Sequence, residues 1–443
     1  MKTLSKKTFL FFVITLLSFL LLLNRLNKAY LHFDACCFSQ IAKEMVKNNS
    51  YMYYTLGGEL FFDPKPPLFI WALMMSGKIF GFHNFSMRLP SVIFGILSIV
   101  VMFIFISKLF GLYTGFFSSF ILLFTQQFLY YSRSATMEIL YSLLLFSAFL
   151  SFWYAYKYGY KIGYYLLGIF VGLAVMTRNI AGFIPYFIIF VYALIVKDFS
   201  MFKKIDFYVG IILSLLISLP WHVYMIVNFG ERFIHSYFGV IFRYFLKEKK
   251  VWYEYIRKIL ENYWPWLPFL IIGIVDKVKK FKSEKQTFDS LMLVYIFVFF
   301  TIYQISKYKF PQYIVPLYYP FAIFSAQGLY KVDKVRKFIF SKIFIGLGVI
   351  YTLLCVIFPI LPNTLDSQEY KNLVHIFNKL KNEKEEIVYV LKNDPHLWSY
   401  YHGIMFYADK KVKIIPDKES IKQGILILTE NTSCKLVKIH EKN

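Results

Sequence analysis

Cysteine is scarce in this chain. Four among 443 residues are too few for a disulfide framework. Cys36 and Cys37 are adjacent and cannot easily pair, Cys355 sits in an apolar run, and Cys434 lies near the C-terminus. No C-x2-C or comparable ligand spacing occurs, so nothing points to a thiolate metal site. Acidic residues are few as well: 26 Asp and Glu face 50 Lys and Arg, a formal net charge of +24. Such a balance raises nucleic acid as a partner. No basic stretch stands apart from a hydrophobic run, however, and nucleic acid is set aside. There is no internal repeat of about 20–50 residues, which removes the repeat architectures.

What fills the chain is apolar: 58% hydrophobic and 21% aromatic, with only 17% charged. Soluble domains carry about 45–50% apolar residues, so this is more than a water-soluble core needs. The excess of Lys and Arg then reads as the positive-inside bias of a membrane protein. A spanning helix needs about 20 mostly apolar residues. Eleven runs qualify, near 8–23, 89–107, 112–131, 137–156, 163–177, 180–196, 206–225, 265–275, 288–305, 311–329 and 338–361. The first follows Lys2, Lys6 and Lys7 as in a signal peptide. "LNRLNKAYLHFD" comes next instead of a small-residue cleavage site, so a retained first helix is expected.

With the N-terminus cytoplasmic, Lys108, Lys157, Lys161, Lys197, Lys203, Lys204, "DKVKKFKSEK" and "KVDKVRK" share one side. The short loops opposite hold Arg133, Arg178, Lys307 and Lys309. The expected fold is an all-α polytopic membrane protein of about eleven transmembrane helices over 1–362, with juxtamembrane helices in outer loops 24–88 and 226–262. A small extracytoplasmic α/β domain is expected at 363–443, where "EIVYVL", "VKIIP" and "GILILT" read as strands and "HLWSYYHGIMFYA" as a helix.

The first outer loop carries the chemistry. Phe38, Ile41, Ala42 and Met45 fall at helical spacing, which predicts a helix lying on the membrane surface. Asp34 stands where its N-cap would be, and capping and catalysis both remain open for it. Glu44 reads as a solvated helix face. Then comes "FFDPKPPLF", 61–69, in which Pro64, Pro66 and Pro67 stiffen the chain. Proline at a helix start explains the prolines. It does not explain Lys65, because a cation there opposes the helix dipole. An anion explains it better, since helix N-termini and lysine both favour phosphate.

These elements occur in a particular order. Asp34 and its surface helix precede "DPKPPLFIW", followed by "IFGFHNFSMRLPS", "GIFVGLAVMTRN", "LPWHVYMIVNFGERFIHSYF" and "SKYKFPQYIVPLYYPFA". Over roughly residues 1–330 this resembles the polyprenyl-phosphate-dependent glycosyltransferases of the C-type membrane fold (GT-C), which include aminoarabinose transferases acting on lipid A and relatives of the protein O-mannosyltransferases. The resemblance implies a sugar donor on a polyprenyl phosphate, a lipid, glycan or protein acceptor, and a site at the outer face of a bacterial inner membrane. It places Asp34 as the essential aspartate, Lys65 as the lysine that binds the donor phosphate, and Arg88 as the arginine of "RLP" with a structural role.

The chain departs from that pattern at three points. Cys37 stands where an arginine often follows the aspartate, and Arg178 with Asn179 replaces a Lys-Gly pair. Where some members carry a metal-binding histidine the chain has Val240 ahead of Arg243, and His222 and His235 are out of register. No metal ligand and no cofactor are assigned, with a divalent metal ion as the open alternative.

Physical chemistry supplies roles beside the resemblance. Glycosyl transfer passes through an oxocarbenium-like state as a phosphate leaves, and fixed cations in a dry site stabilise that leaving group. Lys65, Arg178, Arg133 and Lys309 are the outer-side cations in short apolar segments, each with a snorkelling side chain as the alternative. An acceptor hydroxyl needs a base, for which Asp34 is the candidate; a phosphate acceptor needs none. Asp63 is expected to pair with Lys65, with metal binding beside Asp34 as the other possibility. Glu138 is expected as a helix cap with Thr136, with sugar binding as its alternative. His222 is expected as an interfacial histidine in a supporting position, and Trp264, Trp266, Tyr318 and Tyr319 as interface aromatics or a sugar shelf. Rival readings are a transporter or flippase, which should show broken mid-membrane helices and pseudo-repeats, and a non-catalytic scaffold that recruits partners through its tail.

Overall fold

A computed structural model of the protein describes residues 5–31, 33–63, 65–246, 252–281, 283–362, 368–394, 397–417, 424–430 and 433–439. Helix α1 (Lys6–Leu22) is followed by α2 (Phe33–Asn48), the hairpin β1 (Tyr54–Leu56) and β2 (Glu59–Phe61), and α3 (Leu68–Phe80). Next come α4 (Asn84–Phe110), α5 (Leu112–Leu123), α6 (Gln126–Ser132), α7 (Glu138–Tyr158), α8 (Ile162–Arg178), α9 (Ile184–Val196) and α10 (Ile205–Leu246). The bundle is completed by α11 (Glu254–Tyr263), α12 (Leu267–Lys280), α13 (Phe288–Ile305), α14 (Tyr318–Val335) and α15 (Ile339–Ile357).

Every apolar run read from the sequence falls in helical structure, because a segment without water must bond its own backbone. The helices are of two kinds. Among the described residues five are long and apolar enough to cross a membrane: α4, α7, Ile205–Gly239 of α10, α13 and α15. Helices α5 and α6 make a sixth if their 69° bend lies within one span. The other runs form shorter or more polar helices. Close backbone approach replaces large side chains at some crossings: a methyl group at Gly168 of α8 would collide with the Gly210 carbonyl of α10. Further along α10, Gly230 adopts φ 48°, a conformation glycine enters without a Cβ clash, and the helix bends there. The bend returns the end of α10 to the first loop, where the Ser236 hydroxyl donates to the Phe62 carbonyl at 2.8 Å.

The hairpin β1–β2 was not foreseen, and it changes the place of Glu44. The turn residues Gly57 and Gly58 both have positive φ, and their N–H groups donate to the Glu44 carboxylate at 2.7 and 3.2 Å. Gln40 adds a third bond at 2.8 Å. Glu44 is therefore buried and ties the hairpin to α2; it is not a solvated face. Glu44→Ala removes the acceptor of the buried Gln40 amide and of the Gly57 and Gly58 N–H groups and is expected to destabilise the protein by roughly 1–3 kcal/mol, read as a lower melting temperature in detergent.

The C-terminal layer follows the expected strand–helix alternation and adds to it. Helix α16 (Gln368–Lys381) precedes β3 (Ile387–Leu391), α17 (Leu397–Ala408), β4 (Lys411–Ile415), β5 (Gly424–Glu430) and β6 (Ser433–Ile439). The sheet order is β4-β3-β5-β6, with β3 parallel to β4 and β5 and the unforeseen β6 antiparallel to β5. Val388, Val390, Ile425 and Ile427 form a core with Phe377, Leu380, Tyr400 and Ile404 of α16 and α17.

Candidate active site

A cleft of about 170 Å³ opens among the start of α2, α4, α6, the start of α7 and the segment before α14. Asp34, Arg88, Tyr130, Tyr131, Glu138 and Gln312 line it, with Phe33 at its side. Asp34 lies within the first turn of α2 and accepts no hydrogen bond from the described residues, so it is not acting as a side-chain cap. Its charge sits where the α2 dipole favours an anion.

Lys65 comes from the other end of the loop and does not itself line the cleft, but it lies close enough to Asp34 and Glu138 to feel both charges. Its ammonium lies 4.5 Å from the centroid of the Phe38 ring, and Phe38 is one helical turn beyond Asp34 on the same face of α2. Asp63 holds Lys65 twice: its Oδ1 accepts the Lys65 N–H at 2.9 Å, and its Oδ2 lies 3.7 Å from the ammonium. Tyr54 donates to the Lys65 carbonyl at 2.8 Å. Burial works against the Lys65 charge, but Asp63, Asp34 and Glu138, in that order, outweigh it and hold the ammonium above the usual lysine range. Burial pushes the Asp63 carboxyl up, and the Lys65 charge and N–H offset part of that rise.

A second cation joins through Glu138. Arg178, at the end of α8, places its guanidinium 3.8 Å from the Glu138 carboxylate. The guanidinium lies against Tyr313 and Tyr141, at 4.5 and 5.2 Å from their ring centroids. Glu138 is the first residue of α7, whose N-cap, Met137, makes no side-chain capping bond. Glu138 lines the cleft, and among the described residues its buried Oε2 has no hydrogen-bond partner. The capping role expected for Glu138 and Thr136 gives way to a place in the cleft wall. Tyr313 and Gln312 escaped the sequence reading, although both lie directly after Lys309 in "KFPQY".

Two expected phosphate ligands are engaged elsewhere. Arg133 is fully buried and spends four of its five N–H donors on carbonyls: Pro362 at 3.0 Å, Leu21 at 2.6 Å, Leu22 at 3.0 Å and Asn24 at 2.6 Å. It closes the C-terminal end of α1, whose last carbonyls lack helical partners. Lys309 gives its ammonium to the carbonyls of Tyr303, Gln304 and Ser306 at 3.1, 2.5 and 2.6 Å, at the C-terminal end of α13. Burial holds its pKa down. Arg133→Leu is expected to strand several buried carbonyls and cost on the order of 3–5 kcal/mol. The melting temperature should drop, while donor binding by the folded fraction stays as in the wild type.

The supporting residues act on the scaffold. Arg88 donates to the carbonyls of Leu26 and Tyr30 at 2.6 and 2.9 Å, just ahead of Asp34. His222 bonds the Ser218 carbonyl at 2.7 Å and the Tyr237 hydroxyl at 2.9 Å, joining the two halves of bent α10. Tyr318 and Tyr319 are buried and bonded to Gln127 and Ser98 at 2.6 and 2.7 Å; they form no shelf. Cys37 is buried beside Asp34 and Asp63. Among the described residues no three of His, Cys, Asp and Glu converge in the manner of a metal site. The side chains of Val240 and Arg243 lie outside the described residues.

Known proteins share this arrangement of helices. ArnT from Cupriavidus metallidurans, bound to undecaprenyl phosphate, superposes with a TM-score of 0.72 at 16% identity, over 92% of this chain and 85% of that one. The oligosaccharyltransferase of Archaeoglobus fulgidus superposes at 0.61, also at 16% identity, over 92% of this chain and 63% of that one. The chain has the C-type membrane fold (GT-C) of these two proteins. Within this GT-C chain, residues 64–224 match the family described as dolichyl-phosphate-mannose-protein mannosyltransferase. The chain is 28% identical over 345 residues to undecaprenyl phosphate-alpha-4-amino-4-deoxy-L-arabinose arabinosyl transferase 2 of Proteus mirabilis (strain HI4320), which covers 73% of this chain. It spans about 60% of the length of that relative and of the corresponding transferase of Wigglesworthia glossinidia brevipalpis. A protein of Aquifex aeolicus (strain VF5) is 25% identical over 438 residues, covering 89% of this chain and 85% of its own length.

Proposed function

We propose that this GT-C protein transfers a sugar from a polyprenyl-phosphate donor to a lipid, glycan or protein acceptor at the outer face of a bacterial inner membrane. The observation that carries this reading is that Asp34 and Glu138 line one cleft while a cation stands behind each of them, Lys65 within the electrostatic reach of both and Arg178 paired with Glu138. The match to undecaprenyl-phosphate aminoarabinose transferases supports a lipid-phosphate donor.

In this mechanism the bond from the anomeric carbon to the phosphate oxygen breaks, and the polyprenyl phosphate leaves with the bonding pair. Lys65 and Arg178 neutralise the charge that grows on the leaving phosphate, in a partly buried site. The acceptor oxygen forms the new bond to the anomeric carbon. If it is a hydroxyl, its proton passes to Asp34. Glu138 holds Arg178 and keeps an Oε2 for a hydroxyl or ammonium group of the sugar, which would suit an aminoarabinose donor. Asp63 fixes Lys65 and does not react.

The orientation follows the lysine bias: N-terminus in the cytoplasm, cleft and C-terminal layer outside. The test is mass spectrometry of cell-envelope lipids, glycans and proteins with and without the gene, joined to transfer by the purified protein from labelled polyprenyl-phosphate sugars. A gene-dependent mass increment of a pentose, hexose or amino sugar, reproduced in vitro, is the expected result. Uptake or translocation of the donor with no new glycoside would refute transfer.

A further inference from the structure

Asp34 accepts no hydrogen bond from the described residues, so the main chain that carries it must fix its place. That main chain is under constraint. Phe33 has φ 36°, in the left-handed region, which a bulky side chain occupies only where its surroundings enforce it. Part of that enforcement comes from the far end of the chain. The Tyr407 hydroxyl of α17 accepts the Leu31 N–H at 2.7 Å and donates to Asn84 Oδ1 of α4 at 2.5 Å. Its ring stands edge-on to Tyr30, 4.7 Å between centroids. His402, also on α17, sets a buried imidazole edge-on to the Phe33 ring, 6.1 Å between centroids. Lower on α2, the Lys43 ammonium meets Asp409, just past the end of α17, at 3.0 Å.

The two faces of α17 serve different cores. Tyr400, Ile404 and Ala408 belong to the core of the C-terminal layer. Met405 and Phe406 belong to the main core that holds α2. A helix shared in this way transmits the position of one layer to the other.

We propose that α17 is a positioning element for Asp34, with Tyr407 and His402 as positioning residues, so that the C-terminal layer completes the active site. The inference rests on the transfer reading for its kinetic effect, though not for its structural one. Tyr407 joins the chain ahead of Asp34 to α4, and His402 packs edge-on against the half-exposed Phe33 ring beside Asp34. Burial pushes the His402 imidazole down to about 4, with Asp34 opposing. It is therefore uncharged near neutral pH.

The experiment uses the full-length protein in nanodiscs. Tyr407→Phe keeps the ring and removes the bridging hydroxyl; His402→Ala removes the edge contact, and His402→Phe returns an aromatic edge. The expected result is a fall in kcat of about 10- to 100-fold for Tyr407→Phe and His402→Ala, with the donor KM within about twofold because Lys65 and Arg178 are untouched. His402→Phe should recover most of the loss. Alongside, the rate at which a water-soluble carbodiimide and a labelled amine modify Asp34, mapped by mass spectrometry, should change at least threefold in the two damaging variants. If both variants are folded and match the wild type in kcat and in Asp34 labelling, the positioning inference is overturned while the transfer reading stands. Losses that merely track the unfolded fraction overturn it equally. If the wild type transfers nothing and Asp34 labelling still shifts in Tyr407→Phe, the transfer reading fails and the positioning inference survives.

Discussion

Asp34→Asn abolishes transfer to a hydroxyl acceptor, with a fall in kcat of about 10²–10⁴, while the protein remains folded and still binds the lipid-phosphate donor. Asparagine keeps the shape and removes the charge and the proton-accepting oxygen. Stability should hardly change, because Asp34 caps nothing and accepts no bond from the described residues. The measurement is single-turnover transfer from a labelled polyprenyl-phosphate sugar, with donor binding measured separately. Wild-type turnover in Asp34→Asn would remove Asp34 from the chemistry. A loss of donor binding in place of kcat would move it to the phosphate side of the cleft.

Lys65→Met weakens donor binding and slows the step in which the phosphate leaves, together by about 10²–10³ in kcat/KM. Methionine approximates the length of the stem and still covers Phe38, so the missing ammonium accounts for the effect. Lys65→Arg should recover only part of the activity, since the planar guanidinium is larger than the ammonium seated between Asp63 and Phe38. The Lys65 ammonium is held above the usual lysine range, so no loss of activity from its deprotonation is expected between pH 6 and 9. Unchanged donor affinity in Lys65→Met would refute its role as a phosphate ligand.

The tail experiment that would separate an enzyme from a scaffold is altered by the structure. Helix α17 lies against α2, the helix that carries Asp34. Deleting 363–443 is therefore expected to damage transfer whether or not the tail recruits anything, and the point variants at Tyr407 and His402 are the sharper tools.

The sequence was most informative where one local property decides the outcome. Long apolar runs became helices because lipid offers a backbone no other partner. Proline marked the corner around Lys65 because its φ is locked; Pro67 leads into α3 as its N-cap, and Pro64 lies outside the described residues. The order of motifs in the first 330 residues carried the family likeness. It was least informative where several partners compete for one charge. Arg133, Lys309, Lys65 and Arg178 look alike in sequence: outer-side cations in short apolar segments. Two of them face the carboxylates of the cleft, and two spend their donors on the open ends of α1 and α13. Glu44 was misread for the same reason, since the turn at Gly57 and Gly58 that it binds depends on a hairpin only three residues a side.

By itself, then, the sequence determined the apolar helices, the stiff lysine corner and the kind of chemistry a carboxylate and an ammonium could do there, all of which follow from properties of neighbouring residues. Which charges share the cleft, and that the last helix before β4 holds the first carboxylate, were decided only in three dimensions, because those contacts join residues up to 376 positions apart and no local preference encodes them.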